Sequence, residues 1–294
     1  MRLAIIALYL FAASTVLAQD GEITFESTEV VPGIYMTIGT HSGGGFGGGN
    51  LGFIVGDDYL ALVDDGIVPS ASTLYEHIEE VTGRPVDFII NTHYHGDHTG
   101  ANALFAESGT VIFAHHNIRK RLLEDVKSAG GDGGVPVVTF GKGVTFHLNG
   151  FTAHVKHLPS AHTDGDAIIY FEDTNVIFAG DIRFNGRFPY IDLGGGGTVD
   201  GYIAALQTIA GMADDETRIL SGHGPLGTLA DLERDLAMLV DGRARVKELI
   251  DAGMSEDDVM GADPLAGYAD AYDWSFITSE VMTRTLYKDL STNN

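Results

Sequence analysis

Four residues that can bind a metal ion lie within six positions of one another in the segment FIINTHYHGDHTG. They are His93, His95, Asp97 and His98, and they closely follow the apolar run Phe88–Ile90. Neutral imidazoles and carboxylates are the ligands that zinc and similar divalent ions take in proteins. A strand that ends near Asn91 would place the four side chains on a loop at its tip, where functional residues usually lie. The spacing allows His93 and His95 to converge on one ion, with Asp97 and His98 on a neighbouring ion.

Three later residues extend this set. His162 lies in LPSAHTDGDAIIYF, Asp181 in NVIFAGDIRF and His223 in TRILSGHGPLG. Each follows, or lies between, short apolar runs bounded by Gly or Pro, a pattern typical of buried strands and turns. Ligands at the ends of several strands can meet at one edge of a sheet. Five imidazoles and two carboxylates favour zinc, with manganese or iron as alternatives.

In composition and order, the seven residues resemble the ligand set of the metallo-β-lactamase-fold hydrolase superfamily. The resemblance implies an α/β fold, a four-layer αββα sandwich of two mixed β-sheets flanked by helices. It also implies two metal ions as cofactors, with Asp181 bridging them. Many β-lactamases have a cysteine at the position of Asp181, whereas this chain contains no cysteine and is more similar to the glyoxalase-II type. The implied ligands are His93, His95 and His162 for the first ion, and Asp97, His98 and His223 for the second.

The resemblance implies hydrolysis of a small-molecule substrate by a water molecule that two divalent ions activate. Asp97 is the expected catalytic residue, because its carboxylate would orient that water. A β-lactam or a related cyclic amide or ester is the favoured substrate, and a glyoxalase-II-type thioesterase or a lactonase is the alternative. An iron persulfide dioxygenase is an alternative of a different class, disfavoured because that branch usually has a carboxylate in place of His95. A non-catalytic binding protein is disfavoured by the complete ligand set.

The first 18 residues have the features of a signal peptide: a basic Arg2, an apolar stretch and small residues before a cleavage site after Ala18. We therefore expect a periplasmic or secreted protein, with no stable membrane insertion after cleavage and a single domain over residues 19–294. The formal net charge of −24 argues against nucleic acid as a partner. The sequence does not indicate an oligomeric state.

Alternating and helical apolar patterns predict the remaining elements. Strands are predicted in GIYMTIGT, LGFIVGDDYLALVDDG, VDFIINT and TVIFAH, and over residues 144–148, 151–157, 167–171, 176–179 and 219–220. Helices are predicted over residues 70–81, 117–128, 198–212, 227–253 and 274–290.

Two glycine-rich segments are candidates for the walls of the site. The first, residues 41–50, has six glycines around Phe46, which predicts either a plain hairpin connection or a mobile flap with Phe46 touching the substrate. The second, residues 192–201, follows Arg183, Asn185 and Tyr190, which are candidate substrate-binding residues. Asp64 or Asp65, at the end of a predicted strand, is a candidate for orienting a metal-bound imidazole.

Overall fold

The structure is a computed structural model that describes residues 21–292. The predicted signal peptide at residues 1–18 lies outside the described residues. Runs of apolar residues with few interruptions form two mixed sheets, as expected for strands that are covered on both faces.

The first sheet begins as an antiparallel meander and continues as parallel strands. Strands β1 to β4 pair antiparallel in sequence, and β4, β5, β6 and β7 pair parallel. Its seven strands, in spatial order, are β1 (Ile23–Val31), β2 (Ile34–His41), β3 (Leu51–Val55), β4 (Leu60–Val63), β5 (Phe88–Ile90), β6 (Val111–His115) and β7 (Val138–Phe140).

The second sheet contains antiparallel hairpins and one parallel pair. Its spatial order is β12-β11-β10-β9-β8, and β11 and β12 are parallel. Parallel neighbours end at the same edge of a sheet, which brings Asp181 of β11 close to His223 of β12. The strands are β8 (Gly143–Leu148), β9 (Phe151–His157), β10 (Ala167–Phe171), β11 (Val176–Phe184) and β12 (Arg218–His223).

Helices cover the outer faces of both sheets. Two of the helices are capped by a threonine side chain: Thr198 accepts a hydrogen bond from the backbone of Gly201, and Thr228 forms a capping box with Asp231. The α-helices are α1 (Ala71–Thr82), α2 (Gly96–Thr99), α3 (Asn102–Glu107), α4 (His116–Glu124), α5 (Val199–Ala210), α6 (Leu229–Asp251), α7 (Glu256–Ala262), α8 (Ala269–Tyr272) and α9 (Ser279–Thr292). Short 3₁₀ helices within the described residues are Val68–Ser70, Val126–Ala129, Asp132–Gly134, Glu172–Thr174 and Ala266–Tyr268.

Three large apolar clusters hold these layers together. One lies between the two sheets and includes Ile34, Ile169 and Phe178. A second joins the outer face of the second sheet to α5, α6, α7 and α9, and a third joins the first sheet to α1 and α3. The four-layer αββα sandwich predicted from the sequence is confirmed.

Two of the element boundaries that differ from the prediction affect the site. Strand β11 continues to Phe184, five residues past the predicted end at Ala179. The closing helix begins at Ser279 because Asp273 accepts a hydrogen bond from the Ser279 amide at 2.6 Å and Thr278 accepts one from Val281. Residues 274–278 are therefore an irregular connection and not part of the helix. Within residues 21–292, none of the helices combines the length and apolarity needed to cross a bilayer.

Candidate metal centre

The loop after β5 is held in a defined shape by buried amides. The Asn91 backbone amide donates to Phe113 O at 2.9 Å, and the Asn91 side chain pairs with that of Asn102. Helix α2 begins at Gly96, immediately after His95, so the chain turns sharply between His95 and His98. As a result, His93, Asp97 and His98 all face the second sheet.

The structure brings together the seven side chains predicted as ligands. The Asp181 carboxylate lies between the two predicted trios, 3.7 Å from His93 Nε2 and 3.6 Å from His162 Nε2 on one side. On the other side it lies 3.1 Å from His98 Nε2 and 3.4 Å from His223 Nε2. Two clusters with the separations of a metal site result: His93, His95, His162 and Asp181, and Asp97, His98 and His223.

Two glycines allow the chain to approach this cluster closely. A Cβ atom at Gly222 would overlap the Asp181 carboxylate, and one at Gly49 would overlap the His98 ring. Gly49 belongs to the glycine-rich segment 41–50, so that segment forms part of the centre as well as a connection between strands.

Unpaired ligand atoms show that the cluster fits a metal ion. His93 Nε2, His98 Nε2 and Asp181 Oδ1 are buried, and none of them makes a well-oriented hydrogen bond among the described residues, although His98 Nε2 and Asp181 Oδ1 lie 3.1 Å apart. An unpaired buried polar atom costs roughly 1–3 kcal/mol, so three in one place need a compensating partner. A divalent cation satisfies imidazole nitrogens and carboxylate oxygens together.

Burial and local charge divide the histidines into two groups. Burial, reinforced by repulsion from neighbouring imidazoles, holds the pKa of His93 well below its usual value and lowers the pKa of His162 to about 4. These rings are neutral at pH 7, as metal ligation requires. At His223, burial opposes a charge, but Asp181 and Asp97 outweigh it and raise the pKa to about 9. The carboxylates at that end of the cluster thus attract positive charge.

The outward nitrogens of three imidazoles are held by neighbouring groups. Asp64 lies 2.9 Å from His98 Nδ1 and also accepts hydrogen bonds from the amide and hydroxyl of Thr92, each at 2.7 Å. Thr92 Oγ1 lies 3.1 Å from His93 Nδ1, and the carbonyl of Tyr190 lies 2.7 Å from His162 Nδ1. Such partners fix the orientation of a ligating imidazole. The alternative candidate, Asp65, accepts a hydrogen bond from the Ala101 amide instead.

The partner of His95 was missed by the sequence reasoning. His95 Nδ1 faces the cluster, 2.9 Å from His162 Nε2, and its Nε2 lies 3.0 Å from Asp192 Oδ2. The Tyr94 hydroxyl donates to the same carboxylate oxygen at 2.5 Å. Although burial raises the pKa of Asp192, these bonds outweigh that effect and hold it well below the usual carboxyl value. Asp192 opens the second glycine-rich segment, which the sequence had marked as a wall of the site.

A cleft of about 600 Å³ lies over the cluster, and two of the predicted substrate-binding residues line it. Phe46 is 53% exposed and stacks on His223 with ring centres 5.8 Å apart. Tyr190 lies against His95 at the same separation. The lining residues are Phe46, His95, Asp97, Asp181, Phe184, Tyr190, His223, Trp274, Ser275 and Phe276. Sequence reasoning missed Trp274 and Phe276, because the segment had been predicted as helix.

Arg183 and Asn185, which the sequence predicted to contact substrate, do not line the cleft. Arg183 is 1% exposed and binds Asn185 Oδ1 at 2.7 Å and Asp235 at 3.3 Å. Asn185 donates to the carbonyl of Pro225 at 3.0 Å. The reason is that β11 continues past Asp181 with a register shift between Gly180 and Phe184, after which Phe184 lines the cleft and Arg183 is buried towards Asp235 of α6.

Known proteins resemble this chain in both sequence and structure. Residues 44–223 match the sequence model of the metallo-beta-lactamase superfamily. A probable metallo-hydrolase, YqgX, of Bacillus subtilis is 26% identical over 184 residues, which are 60% of this chain and 85% of that protein. A hydroxyacylglutathione hydrolase of a Polaromonas species is 30% identical over 149 residues, and the chain spans only 50% of its length.

The fold is similar to that of solved metallo-beta-lactamases. The enzyme from Pontibacter korlensis superposes with a TM-score of 0.63 at 18% identity, over 74% of this chain and all of that structure. At this identity the likeness shows the fold alone, whereas the sequence match covers more than half of the 294 residues. The chain therefore belongs to the metallo-beta-lactamase superfamily and is a metal-dependent hydrolase.

Proposed function

We propose that the protein is an exported dinuclear zinc hydrolase that opens a carbonyl-centred bond, in a cyclic amide such as a β-lactam or in a related ester. The observation that carries this proposal is the set of three buried, unpaired ligand atoms at the floor of an open cleft, on His93, His98 and Asp181. His93, His95 and His162 would hold one ion, and Asp97, His98 and His223 the other. Asp181, which faces both trios, would be shared.

Bound divalent ions supply Lewis acidity and lower the pKa of water towards neutrality. The chain itself supplies orientation. Asp97 lines the cleft, and its carboxylate lies 3.3 Å from His223 Nε2 and 3.4 Å from His98 Nε2. Although burial alone would raise the pKa of Asp97, His98 and His223 hold it well below the usual carboxyl value. Asp97 thus stays ionised and accepts a hydrogen bond from the attacking water, which fixes the direction of attack.

A thioesterase is the second candidate. The observation that favours it is the similarity to a hydroxyacylglutathione hydrolase, together with the carboxylate at position 181. The two candidates share the ligand set and the attack of water on a carbonyl carbon. They differ only in the leaving group, so one substrate panel distinguishes them.

The test is the metal content of the purified mature protein, with a hydrolysis panel of nitrocefin, a lactone and S-lactoylglutathione. We expect two zinc ions per chain and loss of hydrolysis in His162→Ala. The matched control is His154→Ala, which removes a 41% exposed imidazole in the middle of β9, beside Glu172. Full activity in His162→Ala would refute the assignment, and one iron per chain with oxygen consumption would support the persulfide dioxygenase instead.

Export is tested separately. Amino-terminal sequencing of the protein from its native host should begin at residue 19, and an intact Met1 in a cytosolic fraction would contradict this part of the proposal.

A further inference from the structure

The cleft has one side made almost entirely of aromatic rings, formed by Phe184, Tyr190, Trp274 and Phe276. We call this side the aromatic wall. Ring centres of Phe184 and Trp274 are 5.8 Å apart, those of Trp274 and Phe276 are 5.6 Å apart, and those of Phe276 and Tyr190 are 5.2 Å apart. These separations are typical of interacting aromatic pairs. The wall is therefore a continuous apolar surface beside the predicted ligands.

The connection that carries Trp274 and Phe276 is held in place before any substrate binds. Trp274 Nε1 donates to the carbonyl of Phe188 at 2.9 Å, and the Trp274 amide donates to Ile277 O at 3.1 Å. The guanidinium of Arg187 packs over the indole at 5.3 Å. This connection lies outside the part of the chain that matches the superfamily, residues 44–223.

Exposed rings at the mouth of the cleft favour an apolar ligand. Phe276 is 55% exposed, and Phe46, which also lines the cleft, is 53% exposed. Exposed apolar surface of this kind, grouped around a concave site, is typical of ligand-binding clefts. An aromatic ring that binds in the cleft would remove phenyl surface from water.

The aromatic wall itself carries no positively charged side chain. Among the described residues that line the cleft, none is Lys or Arg, and the carboxylates there belong to the predicted ligand set. The Arg187 guanidinium is occupied against Trp274. A glutathione thioester or a carboxylate-bearing β-lactam would thus find no basic side chain on the wall.

We infer that the substrate is an uncharged ester or lactone that carries an aromatic ring, and that the aromatic wall binds this ring. The inference rests on the proposed hydrolysis and names its substrate class. In the reaction, the hydroxyl of water adds to the acyl carbon, the acyl C–O bond breaks and the proton goes to the leaving oxygen. The product of a lactone is then a hydroxy acid, whose new carboxylate has no partner on the wall and is released.

The experiment compares two uncharged six-membered lactones: isochroman-3-one, which carries a fused benzene ring, and δ-valerolactone, which does not. The zinc-loaded protein should hydrolyse isochroman-3-one with a kcat/KM at least about tenfold higher, because the added ring is buried on the wall. Phe276→Ala should reduce this ratio about 3–10-fold. The control Tyr59→Ala removes a 41% exposed ring on the turn between β3 and β4 and should leave the ratio unchanged.

A binding measurement separates this inference from the proposed function. Trp274 is the single tryptophan of the sequence, so its fluorescence reports directly on the wall. Isochroman, which has the fused rings but no carbonyl, should change this fluorescence saturably, and tetrahydropyran should not. If isochroman binds but neither lactone is hydrolysed, the proposed function fails and the wall assignment stands. Equal kcat/KM values for the two lactones, or a preference that survives Phe276→Ala, would overturn the assignment.

Discussion

Replacing Asp192 by asparagine should weaken metal binding through a single hydrogen bond to His95. Asp192 Oδ1 accepts from the Gly195 amide at 2.8 Å, and an asparagine oxygen can keep that bond. The other oxygen, Oδ2, faces the Tyr94 hydroxyl at 2.5 Å and His95 Nε2 at 3.0 Å. In the variant this position becomes an NH₂ group, which can donate but cannot accept.

The two partners respond differently to the change. The Tyr94 hydroxyl can rotate and accept a hydrogen bond from the new amide. His95 cannot adapt, because its Nδ1 faces the cluster and would ligate the ion, so the ring proton must stay on Nε2. The amide NH₂ of the new asparagine and the N–H at His95 Nε2 are then two donors that face each other. The lost charge-assisted bond corresponds to about 1.5–3 kcal/mol. Since about 1.4 kcal/mol is a factor of ten, zinc affinity at the first site should fall about 10–100-fold.

The assay is competition for zinc with a chromogenic chelator, read alongside the melting temperature of the metal-free protein. Tyr94→Phe is the matched control, since it removes a donor to the same oxygen and leaves the carboxylate in place. We expect Tyr94→Phe to change the zinc affinity a few-fold at most. Unchanged zinc affinity in a folded Asp192→Asn protein would refute the orienting role, and so would an equal loss in Tyr94→Phe.

Three further predictions follow from other parts of the structure. Phe46→Ala should raise KM for a substrate bound in the cleft. Because the ring is 53% exposed, the metal content and the melting temperature should stay nearly unchanged. A loss of stability of roughly 3–5 kcal/mol would instead indicate that Phe46 is a core residue. Asp181→Ala should weaken the second ion most, as measured by metal content after dialysis, and two ions retained at full affinity would refute the bridging position. Burial, together with the neighbouring His157 ring at 3.7 Å, lowers the pKa of His115 to about 4, below its usual 6.5. Because His115 takes up a proton at higher pH in the unfolded chain than in the folded chain, the stability of the protein should fall as the pH drops from 6.5 towards 4. His115→Asn keeps a side-chain acceptor at the N-cap of α4. In urea unfolding, this variant should lose less stability between pH 7 and pH 5 than the wild-type protein. An equal loss of stability in the variant and the wild type would contradict the prediction.

The supporting groups of the centre show where sequence reasoning reaches its limit. Asp64 was a candidate because it ends a strand, and the structure pairs it with His98. Asp192 had no comparable signal, because 97 positions separate it from His95. Only the folding of the second glycine-rich segment against the loop after β5 brings them together. A glycine run indicates a flexible backbone but does not indicate which imidazole it will meet.

The irregular pairing of β11 explains why Arg183 does not line the cleft. Apolar alternation predicts that a strand exists, but the point at which it ends depends on pairing with a neighbour. Here β11 continues alongside β12 through two irregular steps, between Phe178 and Gly180 and between Gly180 and Phe184. A change of one position in phase moves a side chain to the other face of the sheet, so Phe184 lines the cleft while Arg183 is buried against α6.

The sequence by itself determined the types and order of the seven candidate ligands, the apolar runs of the two sheets and the capped start of α5 at Thr198. These features are local: a ligand type, a period-two pattern and a capping side chain can each be recognised within a few neighbouring residues. The tertiary structure decided which residues form the walls of the cleft and which groups hold each imidazole. Those choices depend on contacts between distant segments, such as Trp274 with Phe188, whose free energy of packing and hydrogen bonding no local pattern contains.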